Sequence, residues 1–307
     1  MKRALVLSGG GSKGAFEVGA IDYLVNKKGL NFNIFIGTSV GALNAAFLGQ
    51  SRNHRELTEL SRDLKKLWLN MKGSQSVYHT SFWGALRLLW SDSLYQPQGL
   101  KRMLQKQINL ERIFDPATVV KVATVAQETG QLFYADSQTP ELRADFLKYV
   151  LASASMPMFF PAVRIGQNHW YDGGLRDITP LGAAFDEKPD EIIVIITYPV
   201  GPNLEPVLTP KKHRGAFQAI LRTVEILTSE IQINDLQLAN YINQNHRIFS
   251  GQRRIPIHLI APKTSLPGKD ALDFNRTDIV ENIRLGFESA QNQRLLSMSK
   301  IVTAANA

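Results

Sequence analysis

The chain has 307 residues, 44% of them apolar, and carries 35 Lys and Arg against 27 Asp and Glu, a net charge of +8 with no cysteine. That length and composition fit one large α/β domain, or one domain with an extension, built on a sizeable core. The missing cysteine excludes disulfides, thiolate nucleophiles and cysteine-ligated zinc. The basic residues are scattered rather than blocked, which reads as a generally basic surface with no nucleic-acid partner, though one compatible with anionic lipid headgroups.

Met1-Lys2-Arg3 is followed only by the apolar run Ala4–Leu7 before a glycine run. A secretory signal needs an apolar stretch of roughly 7 to 15 residues, and a membrane span one of roughly 20. The expectation is a soluble cytoplasmic chain, with peripheral contact at a membrane and export by a signal-independent route left open.

Ala4–Leu7 reads as a buried strand and Gly14–Val25 as a helix. Phe32–Ile36, rich in aromatic and β-branched residues, reads as a second strand and Gly41–Leu48 as a small-residue helix. Strand, turn, helix, repeated, predicts a parallel sheet covered by helices. Arg52 to Lys106 is helical and more polar. Val119–Ala126 with Gln131–Tyr134 reads as a hairpin, Glu141–Ala154 as a helix, and Val163–Ile165 with His169–Tyr171 as a second hairpin. Glu191–Tyr198 is the most apolar strand, and the Pro-rich stretch Pro199–Pro210 marks the best boundary. This divides the chain into a core, 1–200, and a mainly helical extension, 201–307, packed on it. The extension reads as a helix at His213–Asn243, a strand at Ile255–Ile260 and a closing helix at Thr277–Ser297.

Three short motifs carry chemistry. Gly9-Gly10-Gly11-Ser12-Lys13-Gly14 follows the first strand. Glycines permit a sharp turn and bare amides, and a following helix adds a positive dipole end, so the loop suits an anion or an oxyanion. The spacing also satisfies a dinucleotide fingerprint, but that reading needs an acidic residue at the tip of the second strand. The strand ends instead in Ile36-Gly37-Thr38.

Gly37-Thr38-Ser39-Val40-Gly41 lies between strand and helix, where Gly-x-Ser-x-Gly forms an elbow that lifts the serine hydroxyl clear of the backbone. Taken alone it is equally a glycine-bounded turn with a capping serine. Asp172-Gly173-Gly174 ends the second hairpin; alone, it would be an ordinary turn.

Ser39 follows only the second strand, too early for the α/β-hydrolase order of nucleophile, acid and histidine. A histidine triad through Asp172 and His213, His246 or His258 is conceivable, yet none of these sits in a motif; His169, three residues before Asp172, is the one to watch. No His-Glu-x-x-His pattern is present, so no metal site is read.

Together, Gly-Gly-Gly-x-Lys-Gly, Gly-x-Ser-x-Gly and Asp-Gly-Gly, in this order, resemble the signature of the patatin-like phospholipase family. So do Ala152-Ser153-Ala154-Ser155-Met156-Pro157 and Phe160-Pro161-Ala162-Val163. The resemblance covers about Lys2 to Pro199. It implies a three-layer α/β/α fold with a mostly parallel central sheet. It makes Ser39 the nucleophile, Asp172 its base, and the amides around Gly10 and Gly11 the oxyanion hole, with Lys13 as that loop's basic residue. The implied substrates are phospholipids, lysophospholipids or other acyl esters, with no metal or organic cofactor. Acyl transfer to another acceptor, or lipid binding without catalysis, are the alternatives. Phe82, Trp83, Leu86, Leu89 and Trp90 form one helical face within Ser81–Leu94. Packing on the core is the preferred reading of it, and contact with a lipid surface the other.

Overall fold

The computed structural model describes residues 1–71, 73–80, 93–201, 204–210, 215–245, 254–292 and 296–297. The aromatic face of Phe82 to Trp90 lies outside them.

The core of the fold is a mixed sheet. Strands β1 (Arg3–Leu7) and β2 (Ile34–Thr38) are joined by helix α1 (Gly14–Asp22) and pair in parallel, Ala4 opposite Ile34 and Leu7 opposite Gly37. After β2 the chain forms α2 (Val40–Leu48) and α3 (His54–Leu69). A short ribbon of β3 (His79–Thr80) and β4 (Tyr95–Gln96) leads to α4 (Gln98–Gln107) and α5 (Leu110–Ile113). Strands β5 (Val119–Ala126) and β6 (Leu132–Asp136), helix α6 (Phe146–Ser153), and strands β7 (Val163–Ile165) and β8 (Asn168–Asp172) follow. Then come α7 (Leu181–Asp186), β9 (Glu191–Ile195), the long α8 (Ala216–Gln244), β10 (Ile257–Ile260), α9 (Arg276–Asn292) and β11 (Leu296–Ser297).

Among the described residues the nine-stranded sheet runs β11-β10-β9-β1-β2-β5-β8-β7, with β6 also on β5. Strands β10, β9, β1, β2 and β5 are parallel neighbours, which the crossover helices between them require. From β1 the chain moves outward to β2 and β5, and later returns to the other side of β1 as β9. This reversal opens a crevice beyond the strands' carboxyl ends.

Alternation along β1 divides the core into two. Leu5 and Leu7 face one buried cluster with Phe16, Phe35 and Leu57, while Ala4 and Val6 face the other with Leu181, Ile192 and Leu236. Helices therefore cover both faces, giving three layers. Emptying such a site, as in Phe35→Ala, would cost about 3–5 kcal/mol.

The observed elements differ from the expected ones in several places. The stretch Arg52 to Lys106, expected to be helical, is interrupted by the ribbon of β3 and β4. Helix α1 ends at Asp22 in a π-helical turn, Tyr23–Lys27. The helix expected from Glu141 starts at Phe146, behind a 3₁₀ turn at Pro140–Leu142. The closing helix stops at Asn292, and Leu296–Ser297 pairs with β10 instead. Part of the described stretch beyond residue 200 packs into the molecule's core. Its strand β10 joins the central sheet beside β9, and Leu236 and Ala239 of α8 complete the second cluster.

Candidate active site

Register on β5 brings two distant motifs together. Strand β6 occupies one edge of β5, from Lys121 to Val125. On the other edge β2 pairs up to Thr38 opposite Ala123, and β8 arrives antiparallel with Asp172 opposite Thr124. The two strands thus end head to head at adjacent positions, placing residue 39 beside Asp172.

Ser39 sits at the elbow with φ 57° and ψ −127°, a backbone state that is costly for a side-chain-bearing residue. Gly37 and Gly41 explain how this turn closes. A Cβ on Gly37 would overlap the backbone of Gly41, and one on Gly41 the backbone of Leu7. The Ser39 amide donates to Ser153 Oγ at 3.0 Å, tying the elbow to α6. The Ser39 hydroxyl, half-buried, lies against the Asp172 carboxylate and helps to hold it ionised.

Asp172 is 1% exposed. Its Oδ1 accepts from the Gly174 amide at 2.8 Å, which is why Asp-Gly-Gly turns so tightly. Gly173 packs against the Ala123 carbonyl with no room for a Cβ. Burial pushes the Asp172 carboxyl up to about 7, with the Gly174 amide and Ser39 hydroxyl pulling the other way. Desolvation disfavours a carboxylate more than two hydrogen bonds repay it.

The glycine loop closes over the same point. A Cβ built on Gly9 would lie 3.1 Å from Ser39 Cβ. Gly10 has φ 154° and Gly11 φ 59°. Cβ atoms there would overlap Thr197 Oγ1 and the Ala271 carbonyl. The glycines are therefore required by the protein's own packing, which leaves little reason to invoke a dinucleotide. The loop's amides are not equivalent. Gly9 N donates to Ile178 O at 3.1 Å, Ser12 N to Ala271 O at 2.8 Å, and Lys13 N to Gly10 O at 3.2 Å. Gly14 N donates back to Gly11 and Ser12. Only the amides of Gly10 and Gly11 have no partner among the described residues. Lys13 is buried, its Nζ 3.6 Å from Glu225 Oε1 and 4.0 Å over the Tyr198 ring, so α8 neutralises the loop's cation.

These groups line one end of a cavity of about 460 Å³. Its other walls are mostly apolar, from Leu64, Trp68, Leu100, Met103, Leu104 and Phe160 among others, with Gln107, Arg222 and Lys269 between them. Beneath it Glu17, α2 and α3 are joined: Trp68 Nε1 donates to Asn44 Oδ1 and Asn44 Nδ2 to Glu17 Oε2. Burial raises Glu17 well above the usual carboxylate range.

The described histidines lie elsewhere. His169 is three positions before Asp172, hence on the opposite face of β8, where its exposed ring meets Glu128 at 2.8 Å. His54 is exposed on α3, and His258, on β10, faces Glu191 at 3.4 Å. His213 and His246 lie outside the described residues, as does the side chain of His79. No group of three or more potential ligands that fits a metal ion occurs among the described residues. Nor is any described helix long and apolar enough to cross a membrane.

Sequence reasoning missed Ser153, Thr197 and Ala271 as supports of the site. Ser153 stood in a stretch already singled out, but its bond to residue 39 spans 114 positions. Thr197 and Ala271 gave no local signal at all.

A family model for patatin-like phospholipases matches residues 5–185, more than half of the chain, and spans all three motifs. The chain belongs to the patatin-like phospholipase family. Membership makes it a lipid hydrolase of the phospholipase type, and the three-layer sheet described above is the patatin fold. Among relatives, it is 23% identical over 274 residues to the uncharacterized protein YjjU of Escherichia coli K12, covering 86% of this chain and 72% of that one. It is 28% identical over 185 residues to a cGAMP-activated phospholipase of Pseudomonas aeruginosa, covering 57% and 53% respectively. A cGAMP-activated phospholipase of Escherichia coli TW11681 is 24% identical, covering 69% of this chain and 66% of its own. The chain thus spans about half to two thirds of those two phospholipases. Of solved structures, VipD from Legionella pneumophila overlays on 98% of this chain and 67% of its own, at 14% identity and a TM-score of 0.45. So loose an overlay adds nothing to the family assignment.

Proposed function

We propose that this patatin-like protein hydrolyses acyl esters of phospholipids and lysophospholipids with Ser39 as nucleophile and Asp172 as its only general base. The observation that carries the reading is the strand register that sets the Ser39 hydroxyl against a buried Asp172 in the wall of a largely apolar cavity.

The acyl chain lies along the apolar wall, which brings the ester carbonyl to Ser39. Ser39 Oγ forms a bond to the carbonyl carbon while its proton passes to Asp172. A carboxyl raised to about 7 is a far better base at neutral pH than one near its usual 3.8. The carbonyl oxygen becomes an oxyanion and accepts from the unpaired amides of Gly10 and Gly11, narrowing the hole from the six-residue loop to two donors. The tetrahedral species expels the alcohol, which takes the proton from Asp172 and leaves Ser39 acylated. Water, deprotonated by Asp172, attacks the acyl carbon. The fatty acid departs and Ser39 recovers its proton.

The test is mass spectrometry of a lipid extract incubated with the wild type and with Ser39→Ala. Loss of intact phospholipid and gain of free fatty acid with the wild type alone is the expected result. An unchanged extract, or equal turnover by Ser39→Ala, contradicts it.

A further inference from the structure

Five residues beyond Asp172 the chain makes a turn, residues 177–179, to which all three motifs are tied. Thr38 Oγ1, next to the nucleophile, donates to the Asp177 carbonyl at 2.9 Å. Gly9 N, at the head of the glycine loop, donates to Ile178 O at 3.1 Å. The Asp177 amide donates to Gly173 O in the Asp-Gly-Gly turn at 2.9 Å. A shift of this turn therefore moves nucleophile, oxyanion donors and base relative to one another.

Helix α8 holds the turn from outside. Asp235 Oδ2 accepts from the amides of Ile178 at 3.0 Å and Thr179 at 2.9 Å. The Asp235 carboxyl also faces the Asp177 carboxyl, whose Oδ2 accepts from the Tyr134 hydroxyl of β6. Neither acid forms an ion pair among the described residues. The Tyr134 phenol, beside the pair, feels both of these acids and also Asp186 of α7. Asp177 Oδ1 is buried and lacks a donor. Two facing carboxylates, mostly buried and without a cation, repel strongly, so one proton between them is the stable state. That proton also supplies the donor Oδ1 lacks.

We propose that Asp235 is a positioning residue for the reaction: with Asp177 it forms an acid pair holding one shared proton, and the pair fixes the turn that aligns the three motifs. The inference rests on the Ser39–Asp172 reading. Burial and the neighbouring acid push Asp235 up to about 8, so the pair keeps its proton at neutral pH and loses it above that.

The experiment compares wild type, Asp235→Asn, Asp235→Ala and Ser39→Ala on a soluble p-nitrophenyl ester from pH 6 to 9.5, with melting temperatures recorded alongside. An asparagine brings its own N–H to Asp177 and keeps an acceptor for the two amides. Asp235→Asn is expected within about threefold of wild type at pH 7.5, and Asp235→Ala about tenfold or more lower in kcat with KM nearly unchanged. By pH 9 the wild type is expected to lose about tenfold, as a group titrating near 8 gives up its proton, whereas Asp235→Asn holds its rate. If Asp235→Ala does not fold, the contrast in alkaline limbs decides. Identical limbs, an Asp235→Asn variant as damaged as Asp235→Ala, or a folded Asp235→Ala with wild-type kcat would each overturn the proposal. Hydrolysis retained by Ser39→Ala would instead overturn the dyad beneath it.

Discussion

Ser39 and Asp172 occupy neighbouring positions on one edge of β5, yet their surroundings are opposite. Ser39 is half-exposed on a strained backbone at the start of a helix. Asp172 is sealed in on relaxed backbone, with its carboxylate held by a local turn and kept dry. In the proposed mechanism the contrast divides the chemical work. Conformational strain spent at the elbow makes the hydroxyl accessible, and desolvation spent at the strand end makes the carboxylate basic. In the proposed dyad neither residue needs a histidine between them, because the register of two strands already sets the two groups side by side.

The sharpest way to break this division is to remove either side of it. Ser39→Ala and Asp172→Asn are each expected to lower ester hydrolysis by about 10³-fold or more, with the double variant little worse than either. Steady-state rates on a p-nitrophenyl ester check this, and near-native turnover by Asp172→Asn would end the account.

A second, smaller loss concerns the oxyanion donors. Gly10→Ala puts a Cβ against Thr197 Oγ1 and should displace its amide, costing about 10²-fold in kcat. Ser12→Ala alters a residue whose amide is already committed to Ala271, so its rate should stay within about threefold. Equal losses in the two variants would contradict a two-donor hole.

The elbow's anchor comes next. Ser153→Ala removes the acceptor of the Ser39 amide, a bond worth about 1 kcal/mol, and should cost about fivefold in kcat. A loss as large as that of Ser39→Ala would show that Ser153 acts in the chemistry itself.

The smallest effect is a gain. A carboxyl whose folded value is raised to about 7 from 3.8 destabilises the fold increasingly as pH rises through that window, because burial penalises its ionised form. Asp172→Asn removes the penalty. Its melting temperature should exceed that of the wild type, by a margin that grows from about pH 4 to about pH 7 and then levels off. A margin independent of pH would place the raised carboxyl elsewhere.

How much of this was readable in advance follows from sequence separation. The strand and glycine loop after Leu7, the elbow around Ser39 and the Asp-Gly-Gly turn are short-range structures, each dictated by glycines within a few residues. Their meeting was readable only through the resemblance of the whole set to a family, since strand register carries no local signature. The supports that cross the chain were not readable. Ala271 takes an amide from Ser12, and Asp235 one from Ile178, from positions with no motif around them. The boundary drawn near residue 200 followed a Pro-rich loop, and the extension beyond it was expected to carry one further strand; where that strand and the helix before it would dock had no local signal. Strand β10 crosses back to β9, and α8 supplies both Glu225 beside Lys13 and Asp235 beside the 177–179 turn.

The central claim is that a carboxyl alone serves as the base, and the measurement closest to it is the pH dependence of kcat/KM in a set of variants. With His54, His79, His169, His213, His246 and His258 replaced one at a time, each folded variant is expected to keep the wild type's rise through about pH 7, the titration of Asp172. A folded histidine variant that loses that rise together with its activity would contradict the dyad and install a triad in its place.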